Sequence, residues 1–139
     1  MDWTSCKLSR LVKETSSDEN KVKSILDVAE RKLDDANSMA DERYYGKITL
    51  FYDVLREILE CIALRKGYKI YNHECYTAFL KEVMKNSNMG DRFDELRLIR
   101  NGLNYYGKTI NFEEGIHILK KSEQAIKLIK EMLNETEKL

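Results

Sequence analysis

Residues 44–67 read YYGKITLFYDVLREILECIALRKG, and this stretch decides the fold because it carries the strongest helical pattern in the chain. Its large apolar side chains recur three and four residues apart, which places them on one stripe of an α-helix. The stripe is wide enough for a central core helix, and Gly67 is the residue type that follows a helix end in the left-handed conformation. The pattern predicts a helix over residues 41–66 that buries Tyr44, Ile48, Phe51, Tyr52, Leu55, Ile58, Leu59 and Ile62.

The flanking sequence has the same helical period on both sides. Four further helices are predicted, over residues 18–40, 72–85 and 91–107 and from Phe112 to near the C terminus. Residues 16–18 offer N-caps for the first of these helices, and Asn111 with Glu114 has the capping-box spacing for the last. The expected fold is all-α, an up-and-down bundle of about five helices over residues 18–139.

The segments outside these helices are short. Residues 1–17 are expected to form either a short helix that lays an apolar edge on the bundle or a partly ordered arm. Residues 68–71 are expected to form a connection, and residues 86–90 a loop, since they are rich in turn formers. The helix after that loop has its predicted core side at Phe93, Leu96, Ile99, Leu103 and Tyr106.

The composition also favours the all-α class. The 139 residues include no proline and only six glycines, with 42% hydrophobic and 35% charged residues, which suits long helices in a single domain. The 24 basic side chains equal the 24 acidic ones, so no global field attracts the chain to nucleic acid or to an anionic membrane. A polyanion must therefore be bound by a local patch.

The three cysteines, Cys6, Cys61 and Cys75, form an odd set without Cys-x-x-Cys spacing. Such a set indicates neither a disulfide framework nor a zinc site, and it fits a reducing cytoplasm. The N-terminal residues lack the pattern of a signal peptide, and no apolar run is long enough to span a membrane. We therefore expect a cytoplasmic protein without a membrane segment, a metal site or a cofactor.

Residues 97–107, RLIRNGLNYYG, concentrate polar side chains at the end of a predicted helix. At about 100° per residue, Arg97, Arg100 and Asn104 share one edge beside the apolar stripe. From such an edge a guanidinium can rest its stem on apolar neighbours and present its fork to a phosphate or a carboxylate. The alternative is that both arginines pair with acidic side chains of neighbouring helices.

The two tyrosines of this stretch also allow two interpretations. In the first, Tyr106 is in the core and Tyr105 is half-buried, with its hydroxyl on a backbone carbonyl. In the second, both rings offer a stacking face to a base while Arg97, Arg100 and Lys108 hold phosphate. The sequence alone leaves both open.

A homodimer would strengthen the second interpretation, because two such edges meeting across an interface double the positive charge of the cleft. The last predicted helix also has apolar residues outside its main stripe, and these indicate a surface for such pairing. They are Ile118, Leu128 and Met132. The expected assembly is a homodimer.

The order of the predicted helices and four short motifs resemble the HEPN family, named for higher eukaryotes and prokaryotes nucleotide-binding domains. The motifs are LRKGY at 64–68, NHE at 72–74, LRLIRN at 96–101 and YYG at 105–107, and the likeness covers residues 18–135. The resemblance implies a helical bundle that pairs as a homodimer, in many cases encoded beside a minimal nucleotidyltransferase. Catalytic members are metal-independent ribonucleases with an Arg-x4-6-His motif, in which a polar residue often follows the arginine.

Carried onto this chain, the motif arginine is Arg100, the polar residue is Asn101, and Tyr105 stands where the histidine belongs. Imidazole exchanges protons near neutral pH, whereas a tyrosine hydroxyl, with an ordinary pKa of about 10, stays protonated. Loss of the acid/base group removes roughly 100- to 10,000-fold in rate. Of the two histidines, His73 is interpreted as a structural or capping residue and His117 as a surface or dimer-edge residue.

The sequence thus predicts a HEPN-like binding protein without catalytic activity, which recognises a nucleotide, RNA or a partner protein through residues 97–106 of a dimer. The enzyme alternative is a ribonuclease or toxin of a toxin–antitoxin pair, in which Arg100 and Asn101 stabilise phosphate and Tyr105 donates a proton. The third interpretation is a structural partner of a nucleotidyltransferase. The expected ligand contacts are Arg97, Arg100, Asn101, Asn104, Tyr105 and Lys108.

Overall fold

The computed structural model describes residues 1–137 and is an all-α helical bundle, as predicted. Residues 138–139, which the sequence analysis included in the bundle, lie outside the described residues. The main elements are α1 (Trp3–Leu8), β1 (Val12–Glu14), α2 (Glu19–Ser38), α3 (Tyr44–Arg65), β2 (Tyr68–Ile70), α4 (His73–Ala78), α5 (Ser87–Tyr105) and α6 (Phe112–Glu137). None of the helices formed by residues 1–137 has the length and apolar character needed to cross a bilayer.

The central helix is α3, which packs against α2, α5 and α6. Its predicted stripe is buried except for Tyr44, which is half-buried. Each large apolar side chain buried in this way contributes about 1.5–3 kcal/mol relative to an exposed one. Gly67 follows the helix end with φ of 92°, the left-handed conformation that the sequence predicted for it.

The segment before α2 is tied to the bundle by a two-stranded antiparallel sheet. In this sheet β1 pairs with β2, with Lys13 opposite Lys69. Residues 68–71 connect α3 to α4, and the strand β2 within this connection was not predicted. The short-helix interpretation of the N-terminal residues is realised in α1, whose Trp3 ring packs edge-on against Tyr68 at a centroid distance of 5.1 Å.

A disulfide between Cys6 and Cys75 joins α1 to α4. The expectation that the cysteines form no disulfide was wrong, because the two partners lie 69 residues apart and only the tertiary fold brings them together. Cys61 is free and buried in α3. The cysteine count therefore no longer indicates a reducing cytoplasm.

The boundary before α5 also differs from the prediction. The loop expected over residues 86–90 is instead a helix start: the Asn86 side chain caps α5 by accepting a hydrogen bond from the Met89 backbone N–H at 3.0 Å. A π-helical segment, Phe79–Val83, extends α4 up to this point. Turn-forming residues thus supplied a cap and a first helical turn.

The last helix begins as predicted, since the Asn111 side chain accepts a hydrogen bond from the Glu114 backbone N–H at 2.8 Å. Its apolar residues that were expected to face a second copy are used within the chain. Ile118 is buried in the core, and Leu128 and Met132 are half-buried against it. These three residues therefore do not indicate a dimer surface.

Candidate functional site

Arg100, on the penultimate turn of α5, is held between two tyrosine rings. Its guanidinium carbon lies 5.4 Å from the ring centre of Tyr52 on α3 and 5.2 Å from that of Tyr105 at the end of α5. The Arg100 Nη1 donates a hydrogen bond to the Tyr105 hydroxyl at 2.9 Å. These contacts fix the plane of the guanidinium.

The remaining nitrogens of Arg100 are poorly satisfied. Its Nη2 lies 4.0 Å from the Asp53 Oδ1, which is beyond hydrogen-bond distance. Its Nε is buried and has no hydrogen-bond partner among residues 1–137. A buried donor without a partner costs about 1–3 kcal/mol, so a ligand oxygen that satisfied it would recover much of that penalty.

The Tyr52 hydroxyl connects this arginine to His73 at the start of α4. The Tyr52 ring is buried and stacks on Phe93, and its hydroxyl lies 2.9 Å from the His73 Nδ1. Burial raises the pKa of Tyr52, while burial and the nearby charges of Arg56 and Arg100 lower the pKa of His73. At neutral pH the pair therefore consists of a phenol and a neutral imidazole.

The contact between the Tyr52 hydroxyl and the His73 Nδ1 fits two tautomers of the neutral ring. In the tautomer whose Nδ1 accepts from the Tyr52 hydroxyl, the ring hydrogen is on Nε2. The Nε2 has no hydrogen-bond partner in residues 1–137 and is not fully buried. In that tautomer His73 presents an N–H donor next to the Tyr52 ring, against which Arg100 also lies.

Arg97 is engaged within its own helix. Its Nη2 and Nε lie 2.8 and 3.1 Å from the Asp94 Oδ1, which also accepts a hydrogen bond from the Thr77 hydroxyl at 3.2 Å. The guanidinium of Arg97 is thus neutralised by an acid one turn away on α5. Of the two arginines expected at the edge, Arg100 keeps more unused hydrogen-bond capacity.

The other expected contacts lie around the end of α5. Asn104 exchanges hydrogen bonds with the Thr49 hydroxyl of α3, at 3.3 and 3.4 Å. Asn101 is half-buried, and Lys108 is exposed beside Gly102, whose carbonyl accepts a hydrogen bond from the Lys108 backbone N–H at 2.9 Å. The structure brings Arg100 and Tyr105 into direct contact, whereas the Lys108 side chain lies beside Gly102, on the side of α5 that faces α6.

Tyr105 and Tyr106 are both exposed, by 66% and 80%. The expectation that Tyr106 belongs to the core was wrong, because α5 ends at Tyr105 and the following residue no longer follows the helical stripe. Gly107, with φ of 63°, then turns the chain toward α6. The Tyr105 hydroxyl bonds to Arg100 instead of a backbone carbonyl, and its ring face stays open to solvent.

Open depressions lie elsewhere, between α5 and α6. Two adjoining depressions of about 530 and 360 Å³ share Glu95, His117 and Lys121 among their lining residues. The Lys121 ammonium is paired with the Glu95 carboxylate, so the charges at the junction are largely compensated. The groove is lined by neither Arg100 nor Tyr105, and we place the candidate site at Arg100, where polar groups lack partners.

Sequence reasoning missed Asp53 and gave His73 only a structural role. Asp53 follows a stripe residue of α3, and nothing in its spacing points to Arg100, which lies 47 residues later in the chain. The one available signal was the NHE motif at 72–74, whose histidine begins α4. Convergence on the Tyr52 ring is a tertiary property that periodicity does not reveal.

The structure offers no metal site of the common kind: no group of three or more His, Cys, Asp or Glu side chains within residues 1–137 could hold an ion. A scan against protein-family models finds no match to this chain, and a search of curated proteins likewise finds none. The site is therefore interpreted from its geometry and from the resemblance of its motifs.

Proposed function

We propose that this chain is a HEPN-like binding protein that recognises a nucleotide or single-stranded RNA at the end of α5. The observation that carries the proposal is the Arg100 guanidinium, which lies over the Tyr52 and Tyr105 rings and has a buried, unpartnered Nε. A stacked guanidinium with free donors suits phosphate, and the exposed Tyr105 and Tyr106 rings suit bases. Lys108, whose side chain lies beside Gly102 near the end of α5, adds a second positive charge.

In the proposed binding mode, the Tyr105 side chain moves away from Arg100 when the ligand binds. The ring is 66% exposed and has one hydrogen bond, to Arg100. A ligand phosphate that takes the place of the Tyr105 hydroxyl on Nη1 frees the ring to stack on a base. Stacking of this kind contributes about 1–3 kcal/mol per base.

Binding of a labelled single-stranded RNA, followed by fluorescence anisotropy, tests the proposal. Arg100→Ala is expected to weaken binding at least about tenfold, since it removes the stacked charge. Tyr105→Leu should weaken binding similarly, while Tyr105→Phe keeps the ring and should stay close to wild type. Arg97→Ala should have a smaller effect, because Arg97 is already paired with Asp94.

Arg31→Ala on α2 is the matched control, because it removes a highly exposed guanidinium far along the chain from the site. Binding that is unchanged in both Arg100→Ala and Tyr105→Leu, with melting temperatures also unchanged, would contradict the proposal. The same samples are assayed for RNA cleavage. Cleavage that disappears in Arg100→Ala would replace the binding function with the ribonuclease alternative.

We further propose that two copies pair and that a nucleotidyltransferase is a candidate partner protein, as the HEPN resemblance implies. Support for a contact surface comes from exposed apolar side chains near the end of α5 and the start of α6. These are Leu98, Tyr105, Tyr106 and Phe112. Light scattering that gives the mass of a single chain at micromolar concentration would contradict the pairing.

A further inference from the structure

Three polar groups without hydrogen-bond partners surround the Tyr52 ring. The Arg100 Nε is buried and unpaired, and the His73 Nε2 is unpaired and reaches solvent. The Asp53 carboxylate makes no hydrogen bond within residues 1–137, and its ion-pair contact there is the 4.0 Å approach to Arg100 Nη2. The three side chains come from α5, α4 and α3 and converge although they are distant in sequence.

Arg100 and His73 both lie against the Tyr52 ring. The Arg100 guanidinium carbon lies 5.4 Å from the Tyr52 ring centre, and the His73 ring centre lies 5.8 Å from it. Asp53 follows Tyr52 on α3, and its Oδ1 lies 4.0 Å from the Arg100 Nη2. The cluster therefore offers two N–H donors and one carboxylate acceptor on adjoining positions.

A bare anion is a poor match to this set. The Asp53 Oδ1 lies 4.0 Å from the Arg100 Nη2, so the negative charge of Asp53 offsets much of the positive charge of Arg100. Asp53 also repels a phosphate placed beside it. If the ligand carries a hydroxyl next to its phosphate, that hydroxyl can donate a hydrogen bond to the Asp53 carboxylate, and the contact is then favourable.

We infer that Asp53, Arg100 and His73 form a ribose-phosphate subsite that prefers ribonucleotides to deoxyribonucleotides. Asp53 accepts a hydrogen bond from a ribose hydroxyl, while Arg100 and the His73 Nε2 donate to the adjoining phosphate. The 2′-hydroxyl is the group by which proteins distinguish RNA from DNA. Tyr52 is a positioning residue. Its hydroxyl contacts the Nδ1 of His73, and its ring contacts the guanidinium of Arg100. The inference rests on the proposed function.

The test compares RNA and DNA single strands of one sequence on wild-type and variant proteins. Wild type should bind the RNA about tenfold more tightly, which is the value of one hydrogen bond to a charged acceptor. Asp53→Ala should bring the ratio close to one by weakening RNA binding, while DNA binding stays equal or improves because a repelling charge is gone. Asp27→Ala on α2 removes an exposed carboxylate and serves as control.

His73 is tested by a pair of substitutions that separate its two nitrogens. Asparagine places an amide near the Nδ1 position and keeps the contact with Tyr52, whereas glutamine places one near Nε2. His73→Asn is expected to weaken binding of both strands, and His73→Gln to keep more of it. Circular dichroism melting of each variant distinguishes a lost contact from a lost fold.

Imidazole resonances give a direct readout, since His73 and His117 are the two histidines of the chain. Addition of the RNA strand should shift the ring signals of His73 and leave those of His117 in place. A shift of His117 with none of His73 would move the ligand to the groove between α5 and α6 and overturn the inference.

The outcomes separate this inference from the proposed function. RNA binding that depends on Arg100 but keeps its RNA-to-DNA ratio in Asp53→Ala overturns the subsite and leaves the proposed function standing. Failure of wild type to bind either strand, with a folded protein, removes the proposed function and the subsite with it. If the ratio of RNA affinity to DNA affinity falls in Asp53→Ala and not in Asp27→Ala, the result supports both the subsite and the proposed function.

Discussion

Arg100 illustrates how one side chain can be fixed without being fully satisfied. Its guanidinium carbon lies over two tyrosine rings, those of Tyr52 and Tyr105, and one of its five N–H groups donates to the Tyr105 hydroxyl. Each stacking contact contributes roughly 0.5–2 kcal/mol, depending on how dry it is. Lysine at this position keeps the charge and loses the planar stacking, so Arg100→Lys is not a conservative change.

The lowered pKa of His73 predicts a pH dependence of stability. Burial and the charges of Arg56 and Arg100 hold the pKa of His73 in the folded protein below its ordinary value of 6.5. Between the folded and the unfolded pKa, the unfolded chain therefore binds more protons than the folded one. Stability should therefore fall as the pH drops below about 6.5, by at most about 1.4 kcal/mol per pH unit, the limit for one proton. Asp53 opposes the shift, and Arg97 adds to it.

Urea unfolding at a series of pH values measures this dependence in wild type and in His73→Gln. Below pH 6.5 the free energy of unfolding of the variant should depend less on pH than that of wild type, because glutamine does not bind a proton. His117→Gln is the matched control at an exposed site. Identical slopes in wild type and His73→Gln would show that His73 has the same pKa in both states.

The sequence identified some of these residues and could not identify others. Arg100 and Tyr105 lie five positions, or about 140°, apart on α5, so their contact requires the two long side chains to meet around the helix end. Asp53 and His73 belong to other helices, and their approach to Arg100 depends on how α3, α4 and α5 pack. Arg97 was expected beside Arg100, but Asp94, one turn earlier, neutralises it.

At the scale of elements, the N-terminal segment depends on long-range links. Three links connect residues 1–17 to later parts of the chain. They are the pairing of β1 with β2, the disulfide between Cys6 and Cys75, and the hydrogen bond that the Trp3 backbone N–H donates to the Glu82 carboxylate at 2.7 Å. A helix of six residues such as α1 is too short to persist alone. These links, and not helix propensity, hold the segment in place.

Reduction of the disulfide should therefore destabilise the protein. Closing a loop between residues 69 apart restricts the unfolded chain, and the entropy model gives about 4 kcal/mol for a loop of this length. Cys6→Ser and reductant-treated wild type should unfold at lower denaturant concentration than the oxidised protein. Hydrogen exchange in residues 3–14 should rise in both.

Thiol labelling under denaturing conditions provides the control for that experiment. Without reductant one cysteine per chain should react, and with reductant all three. In the native state Cys61 should stay unlabelled, since burial raises the pKa of its thiol to about 12. Three reactive thiols in the unreduced, denatured protein would contradict the disulfide.

The contrast between helices and strands explains which elements the sequence could predict. The apolar period of α2, α3 and α6 extends over many turns, so both their presence and their caps at Asn111 and Gly67 were predictable. Strands of three residues contain too few positions for an alternating pattern. Asn86 was misassigned to a loop because the residue types that cap helices are also those that form turns.

At the scale of the whole molecule, charge balance constrains how RNA can be bound. The formal net charge of zero supplies no long-range attraction to a polyanion. Much of the charge is also paired within the fold, as in the contacts of Arg65 with Glu19 and of Lys47 with Asp41. Recognition must therefore depend on a few local cations, and in the proposed site these are Arg100 and Lys108.

The salt dependence of RNA binding should be correspondingly shallow. Each phosphate neutralised on a single strand contributes about −0.7 to the slope of log K against log salt concentration. Two cations per chain then give a slope of about −1.4 for a monomer, and about −2.8 where two copies present their sites to one strand. Anisotropy titrations over a range of salt concentrations, combined with light scattering, distinguish these cases.

Arg100→Ala should reduce the slope by about 0.7 per chain, and Arg31→Ala should leave it unchanged. A wild-type slope steeper than about −5 would mean that the strand contacts many more cations than the α5 end provides. The groove between α5 and α6, whose lining includes Arg92, Lys120 and Lys121, would then be the stronger candidate for the nucleic-acid contact. A slope near zero with measurable affinity would point to stacking on Tyr105 and Tyr106 without phosphate contacts, because base stacking releases no counterions.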